Sequence, residues 1–229
     1  QPQLTPIYCD NTAARRMKRT KCTYTNAYSI GCVSSFSRLM VSSFFPVSLN
    51  LKNPSKRTYK NALHLIGYAK KYPNAQLLNE ACDMILCIQS DASHHRLPGA
   101  RSVVGGIQYL TNLNSPHDEI NGIVDTICKQ ISASVCASAA ESEYAALFIN
   151  GQAGCFPLTV LKALGYPQPQ PTPIYCDNTA AQGIAQRNVT LRRSKAIHTR
   201  YHWIRDRCDQ QQYTIIHKKG TTLDADYLT

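Results

Sequence analysis

A segment of fourteen residues occurs twice in this chain: residues 1–14 read QPQLTPIYCDNTAA, residues 168–181 read QPQPTPIYCDNTAA, and only Leu4 against Pro171 differs. Likeness at that density marks a duplication and divides the chain before any other feature does. Each copy holds a short apolar run, Ile-Tyr-Cys, that stops at an aspartate and leads into Asn-Thr-Ala-Ala, the pattern of a strand followed by a helix start. A strand that short is stable only inside a sheet. The second copy lies among other strand patterns, whereas the first has none around it. A weaker likeness continues downstream, where residues 18–30 can be laid on 192–204 with Lys21 on Lys195, Thr25 on Thr199 and Ile30 on Ile204. Residues 1–52 are therefore expected to be a shortened duplicate of the 168–204 region, poorly ordered or docked opportunistically, and its Asp10 to have no partner carboxylates. Residues 31–52 show no periodic pattern.

From residue 53 the chain becomes regular. Tyr59, Ala62, Leu63, Leu65, Ile66 and Tyr68 have helical spacing, closed by Lys70, Lys71 and Pro73, and predict a helix over 54–72. Residues 84–90 (MILCIQS) predict a strand ending at Asp91, and 101–110 and 122–131 predict two more, with Gly105-Gly106 marking a bulge or a close backbone approach. An alanine-rich stretch, 138–152, predicts a helix. A Pro-Gln linker at 167–173 leads into a short strand, 174–176, which ends at Asp177. A helical stretch follows, then a helix over 194–208 with Ile197, Tyr201, Ile204 and Cys208 on one side, a strand over 213–217, and a last helix opened by Leu223. The order β-β-β-α-β-α-α-β-α predicts an α/β fold: a mixed sheet with helices packed on it.

Composition narrows the function classes. Hydrophobic residues make up 43% of the chain, enough for a packed core, and wholesale disorder is excluded. No run of eighteen or more apolar residues occurs, so no membrane span and no membrane partner are expected. A net charge of +11, from 25 Lys and Arg against 14 acidic residues, favours a polyanionic partner, nucleic acid first. The 10 cysteines form no C-x-x-C and no zinc-finger spacing, and several fall inside strand or helix patterns. They read as free thiols in a reducing compartment, which implies a protein that is not secreted. The chain opens on Gln1 rather than Met and closes on Thr229 within a helical pattern, so it is expected to be a fragment with a truncated C-terminus.

Against that basic background the acidic positions stand out. Asp91 and Asp177 each end a strand, Glu143 lies on the alanine-rich helix, and Asp226 lies at the start of the final helix. Strand ends and packed helices bring such residues together although they are far apart in sequence. Four carboxylates in one place repel one another unless divalent cations neutralise them. Mg²⁺ suits such a site because it is hard and oxygen-loving. An aspartate after a strand also serves as a turn or N-cap residue, and Asp177 before Asn178-Thr179 fits that role as well. Glu141 and Glu143 point about 200° apart on a helix of 3.6 residues per turn, so only one faces Asp91.

Five segments carry a family likeness: QSDAS (89–93), ASAAESEYAAL (137–147), PIYCDNTAA (173–181), RRSKAIHTRYHWIRD (192–206) and LDADYLT (223–229). In this order they resemble the ribonuclease H (RNase H) region of copia-type LTR retrotransposon Pol polyproteins, and residues 53–80 resemble the connection between reverse transcriptase and RNase H in those polyproteins. The resemblance implies an RNase H-like fold over 81–229 with a mixed five-stranded sheet. It also implies hydrolysis of the RNA strand of RNA–DNA hybrids during reverse transcription, with two Mg²⁺ ions or with Mn²⁺ in their place. It carries over Asp91, Glu143, Asp177 and Asp226 as catalytic metal ligands, selecting Glu143 by the aromatic residue and alanine that follow it and leaving Glu141 as a solvated helix residue. His217 corresponds to a histidine that assists product release in many RNase H enzymes. The reverse transcriptase and integrase portions of one polyprotein are the implied protein partners, in a cytoplasmic virus-like particle or the nucleus.

Arg192, Arg193, Lys195 and Arg200 surround the apolar stripe of the 194–208 segment and are expected to contact phosphates of the hybrid; an ordinary solvated basic face is the alternative. His94 and His95 read as loop bystanders. Two positions depart from the family: His198 stands where an aspartate is usual, and the basic residue that normally follows the final threonine is missing. A transposase or integrase core would need a glutamate beyond its second aspartate, and none follows Glu143. A decayed RNase H-like domain that only binds nucleic acid is the competing reading. A structural or adaptor domain has no feature in its favour.

Overall fold

The computed structural model describes residues 55–71, 81–114, 120–132, 135–186 and 199–229. The chain divides into two units, Gln1–Leu78 and Asn79–Thr229. The duplicate at 1–52 and the phosphate-contact residues Arg192, Arg193 and Lys195 lie outside the described residues. In the first unit the described element is α1 (Lys56–Lys71), at the expected place. Ser55 precedes it as a cap, its Oγ accepting from the Thr58 N–H at 3.1 Å, and Lys70 and Lys71 occupy the last turn, where cations complement the helix dipole.

The second unit is built on one sheet: β1 (Ile85–Leu97), β2 (Arg101–Thr111), β3 (Asn121–Gln130), β4 (Thr172–Cys176) and β5 (Tyr213–His217). Their order across the sheet is β3-β2-β1-β4-β5. The first three strands form an antiparallel meander, which short connections allow; β1 and β2 are joined through Gly99 and Ala100, both at positive φ. β4 runs parallel to β1, and β5 parallel to β4. Parallel neighbours need long crossovers, here α2 (Ala139–Ala163), then α3 (Thr179–Ala185) with α4 (Trp203–Asp209). The expected α/β class, a mixed five-stranded sheet with helices packed on it, is the one observed.

The core lies between the sheet and these helices. Leu86 and Ile88 of β1, Val104 of β2, Ile174 of β4 and Ile215 of β5 pack against Tyr144 and Leu147 of α2 and against Tyr201 and Ile204. α2 is 25 residues long and apolar enough to cross a bilayer by length and composition alone. Its buried residues include Glu141, Glu143 and Asn150 beside Tyr144 and Leu147, so within this fold it is the core helix of the sheet.

Four expected elements are corrected. β1 does not stop at Asp91: it runs on to Leu97, with Asp91 opposite Gly105 and Ser93 opposite Val103. Its apolar run ends where expected, but ladder pairing with β2 extends the strand through polar residues. α2 continues past residue 152 and through Pro157. The described part of the expected 194–208 helix is a 3-10 turn, Thr199–His202, followed by α4, and the expected final helix is a 3-10 turn, Asp224–Leu228.

Candidate metal centre

β1 and β4 are hydrogen-bonded neighbours with Ile88 opposite Ile174 and Gln89 opposite Tyr175. Continuing that register by two residues sets Asp91 beside Asp177, which follows the last residue of β4. Residues two apart on a strand share a face, so both carboxylates emerge on the same side. Glu143 reaches them from the first turns of α2. One ligand oxygen from each of Asp91, Glu143 and Asp177 lies within 4.8 Å of the other two.

The cluster is held from several directions. Glu143 Oε1 accepts the N–H of Ala92, the residue after Asp91, at 3.1 Å. Its other oxygen, Oε2, is buried and has no hydrogen-bond partner. Burial pushes the Glu143 carboxyl up to about 9, with the charges of Asp91, Asp177 and Asp226 adding to the effect. Burial likewise raises Asp91 to about 6; the Thr229 hydroxyl, donating to Asp91 Oδ2 at 2.5 Å, opposes that rise, and Asp177 and Asp226 reinforce it. A carboxylate oxygen buried without a donor, next to two more carboxylates, is an arrangement that a divalent cation would satisfy, and an all-oxygen donor set suits a hard one. The residues present therefore fit the group.

Asp226 belongs to the turn Asp224–Leu228 and is exposed. It is not part of the group gathered within 4.8 Å, but it is close enough for its charge to raise both Asp91 and Glu143. Asp177, also exposed, is not the helix cap it resembles: Asn178 caps α3, its Oδ1 accepting from the N–H groups of Ala180 and Ala181 at 3.0 Å each. That leaves the Asp177 carboxylate free of a capping duty. His217, at the end of β5, sets its Nε2 at 3.1 Å from the Asp177 backbone carbonyl.

Glu141 is not solvated. It is buried, its Oε2 accepts from the Ala137 N–H at 2.7 Å, and its own N–H donates to Ser138 Oγ at 3.1 Å. Ser138 thus caps α2 as in a capping box, while the Glu141 carboxylate reaches one residue further back, to the N–H of the residue before the cap. The Ser-x-x-Glu spacing of 138–141 was its signal in the sequence. His94 and His95 belong to β1 rather than a loop; His94 Nδ1 lies 2.9 Å from Ser142 Oγ, and His95 Nε2 lies 2.8 Å from the Cys136 carbonyl. The backbone of Arg200 lies in the turn Thr199–His202.

Two residues beside the candidate ligands shape the site without belonging to them. Gly105 faces Asp91 across the ladder, and a Cβ there would sit 2.7 Å from the Ala225 carbonyl oxygen and 2.7 Å from Thr229 Cγ2. The Gly-Gly pair therefore marks a close approach, and the irregularities of the β2–β3 ladder fall instead around Gln108–Leu110. Gln89, two residues before Asp91, is fully buried and hydrogen-bonds the turn that carries Asp226. A glutamine inside the run MILCIQS was the available signal, since a buried amide needs specific partners.

No protein-family profile matches the chain. By sequence it is similar to the retrovirus-related Pol polyprotein from transposon TNT 1-94 of Nicotiana tabacum, 24% identical over 203 residues. That match takes in 89% of this chain and 14% of the polyprotein, so the chain spans about one seventh of the relative's length. Among solved structures, the chain aligns with RNase H1 from the halophilic archaeon Halobacterium salinarum NRC-1 at 17% identity and a TM-score of 0.40, over 62% of this chain and 92% of that one. It also aligns with LC11-RNase H1, isolated from compost by a metagenomic approach, at 14% identity and a TM-score of 0.45, over 63% and 91% of the two chains.

Proposed function

We propose that this chain is a ribonuclease H-type endonuclease of a retrotransposon Pol polyprotein, hydrolysing the RNA strand of RNA–DNA hybrids with Mg²⁺, or Mn²⁺, bound at Asp91, Glu143, Asp177 and Asp226. The observation that carries this reading is the meeting of three carboxylates within 4.8 Å around a buried glutamate oxygen that has no hydrogen-bond partner. It is supported by the order of the five motifs and by the similarity to a Pol polyprotein.

Divalent cations bound there supply the Lewis acidity that makes a water nucleophilic and stabilises charge on a phosphodiester. The chain's own residues prepare the place. Glu143 is fixed by the Ala92 N–H on one oxygen, which leaves the other for a cation. Asp91 stays buried and is oriented by the Thr229 hydroxyl. Asp177 and Asp226 are exposed, so the centre opens to solvent on the side from which a duplex would approach. His217, beside the Asp177 carbonyl, is the residue we assign to product release. Arg192, Arg193, Lys195 and Arg200 are assigned to phosphates of the hybrid, in keeping with the net charge of +11. The reverse transcriptase and integrase parts of the same polyprotein are the proposed partners.

The test is cleavage of an RNA–DNA hybrid in Mg²⁺ by the full chain beside Asp177→Asn, with binding of the same hybrid measured in parallel. We expect cleavage to fall by roughly two to four orders of magnitude in the variant while hybrid binding persists. Binding without cleavage by the unaltered chain would instead identify a decayed domain that only holds nucleic acid.

A further inference from the structure

Gln89 is a fully buried polar residue in the middle of an apolar strand, on the same face of β1 as Asp91. Both ends of its carboxamide are committed to one short segment 135 residues away in sequence. Oε1 accepts from the Asp224 N–H at 2.7 Å and from the Ala225 N–H at 3.3 Å, while Nε2 donates to Asp224 Oδ2 at 3.4 Å. The amide's orientation follows from these partners, because its NH₂ could not face two N–H donors. Those N–H groups begin the turn Asp224–Leu228, whose own cap position, Leu223, offers no side-chain hydrogen bond. Gln89 therefore caps this turn from another element.

The far end of the same segment is also tied down. Thr229 Oγ1 donates to Asp91 Oδ2 at 2.5 Å, and Cys128 Sγ lies 2.9 Å from the Leu228 carbonyl. Asp226 sits between the two ties, and its carboxylate has no hydrogen bond among the described residues. Its place beside Asp91 and Glu143 is thus set by the backbone of the turn. We propose that Gln89 is a positioning residue of the metal centre: by clamping the Asp224–Ala225 backbone it sets Asp226 within reach of a cation held by Asp91, Glu143 and Asp177. This deepens the metal-centre reading and rests on it.

The test uses the full chain and three variants. Gln89→Met removes the clamp at nearly constant volume. Gln89→Glu keeps an acceptor for the two N–H groups but sets a carboxylate against that of Asp224. Gln89→Glu combined with Asp224→Asn restores the pattern with donor and acceptor exchanged. The readouts are amide hydrogen exchange at Asp224 and Ala225, and Mn²⁺ affinity by calorimetric titration. Gln89→Met and Gln89→Glu should each exchange these amides about tenfold faster and bind Mn²⁺ about tenfold more weakly or more, and the paired variant should recover most of both changes. Should Gln89→Met fail to fold, Gln89→Glu and the pair decide the matter. Unchanged Mn²⁺ affinity in the single variants, or no recovery in the pair, would overturn the clamp alone. An unaltered chain that binds no Mn²⁺ would overturn the metal centre, and the clamp's role with it.

Discussion

Glu143 gives the candidate metal centre its most distinctive chemistry, because it is buried, flanked by other carboxylates and satisfied on one oxygen only. With no cation bound, its folded-state pKa of about 9 against an ordinary 4.5 means that the native state holds a proton which the unfolded chain has released. Stability from this group is intact below pH ~4.5 and falls, by up to ~1.4 kcal/mol per pH unit, until the pH passes about 9. Asp91 contributes in the same direction over a narrower window, between 3.8 and about 6. Glu143→Gln should therefore be more stable than the unaltered chain at neutral pH in EDTA, by ~3 kcal/mol at pH 7, with the difference shrinking toward pH 4.5. Urea unfolding of both proteins at pH 5, 7 and 8 in EDTA measures this. Parallel pH dependences would refute it. Helical geometry allowed only one of Glu141 and Glu143 to face Asp91, and the family resemblance selected Glu143. It did not reveal what Glu141 does, which depends on the Ser138 hydroxyl and on the chain entry at Ala137.

β1 shows where pattern reading stops. Its apolar half was readable as a continuous apolar run, but its polar half, through Leu97, exists because β2 pairs with it, and long-range pairing leaves no periodic trace in one strand's residues. The same pairing places Asp91 opposite Gly105, where a missing side chain lets the last turn lie on the sheet. β5 coincided with its expected span because its apolar run and its ladder end together. The last turn depends on contacts with β1 and β2 more than on local preference, so a helix was expected where only a 3-10 turn forms. Gly105→Ala would place a Cβ 2.7 Å from the Ala225 carbonyl oxygen and 2.9 Å from Leu228 Cβ, both on that turn. The expected outcome is a loss of about 1–3 kcal/mol in urea unfolding, with amide exchange rising at residues 224–228 and unchanged in α2. Equal protection of the turn in both proteins would show that it tolerates the displacement.

The duplicated segment poses the same question for the chain as a unit. Asp10 and Asp177 stand in the same sequence, Ile-Tyr-Cys-Asp-Asn-Thr-Ala-Ala, so local chemistry does not distinguish them. Asp177 is surrounded by β4 between β1 and β5, by Asn178 capping α3, and by Glu143 arriving from α2. A carboxylate acquires metal affinity from neighbours that share its cation, and each of those neighbours comes from a distant part of the chain. The repeat was readable at once from the sequence; the neighbours that the second copy has in the sheet were not. On the expectation that Asp10 has no partner carboxylates, Asp10→Asn in the full chain should leave Mn²⁺ affinity and hybrid cleavage within about twofold of the unaltered protein, as independent sites do. Asp177→Asn should weaken Mn²⁺ binding by tenfold or more, on the order expected when a ligand to a shared cation is lost. Calorimetric titration with Mn²⁺ and single-turnover hybrid cleavage read both quantities. A comparable loss in Asp10→Asn would mean that the first copy contributes to a metal site, and a duplicate without sheet partners would then be the wrong description of residues 1–14.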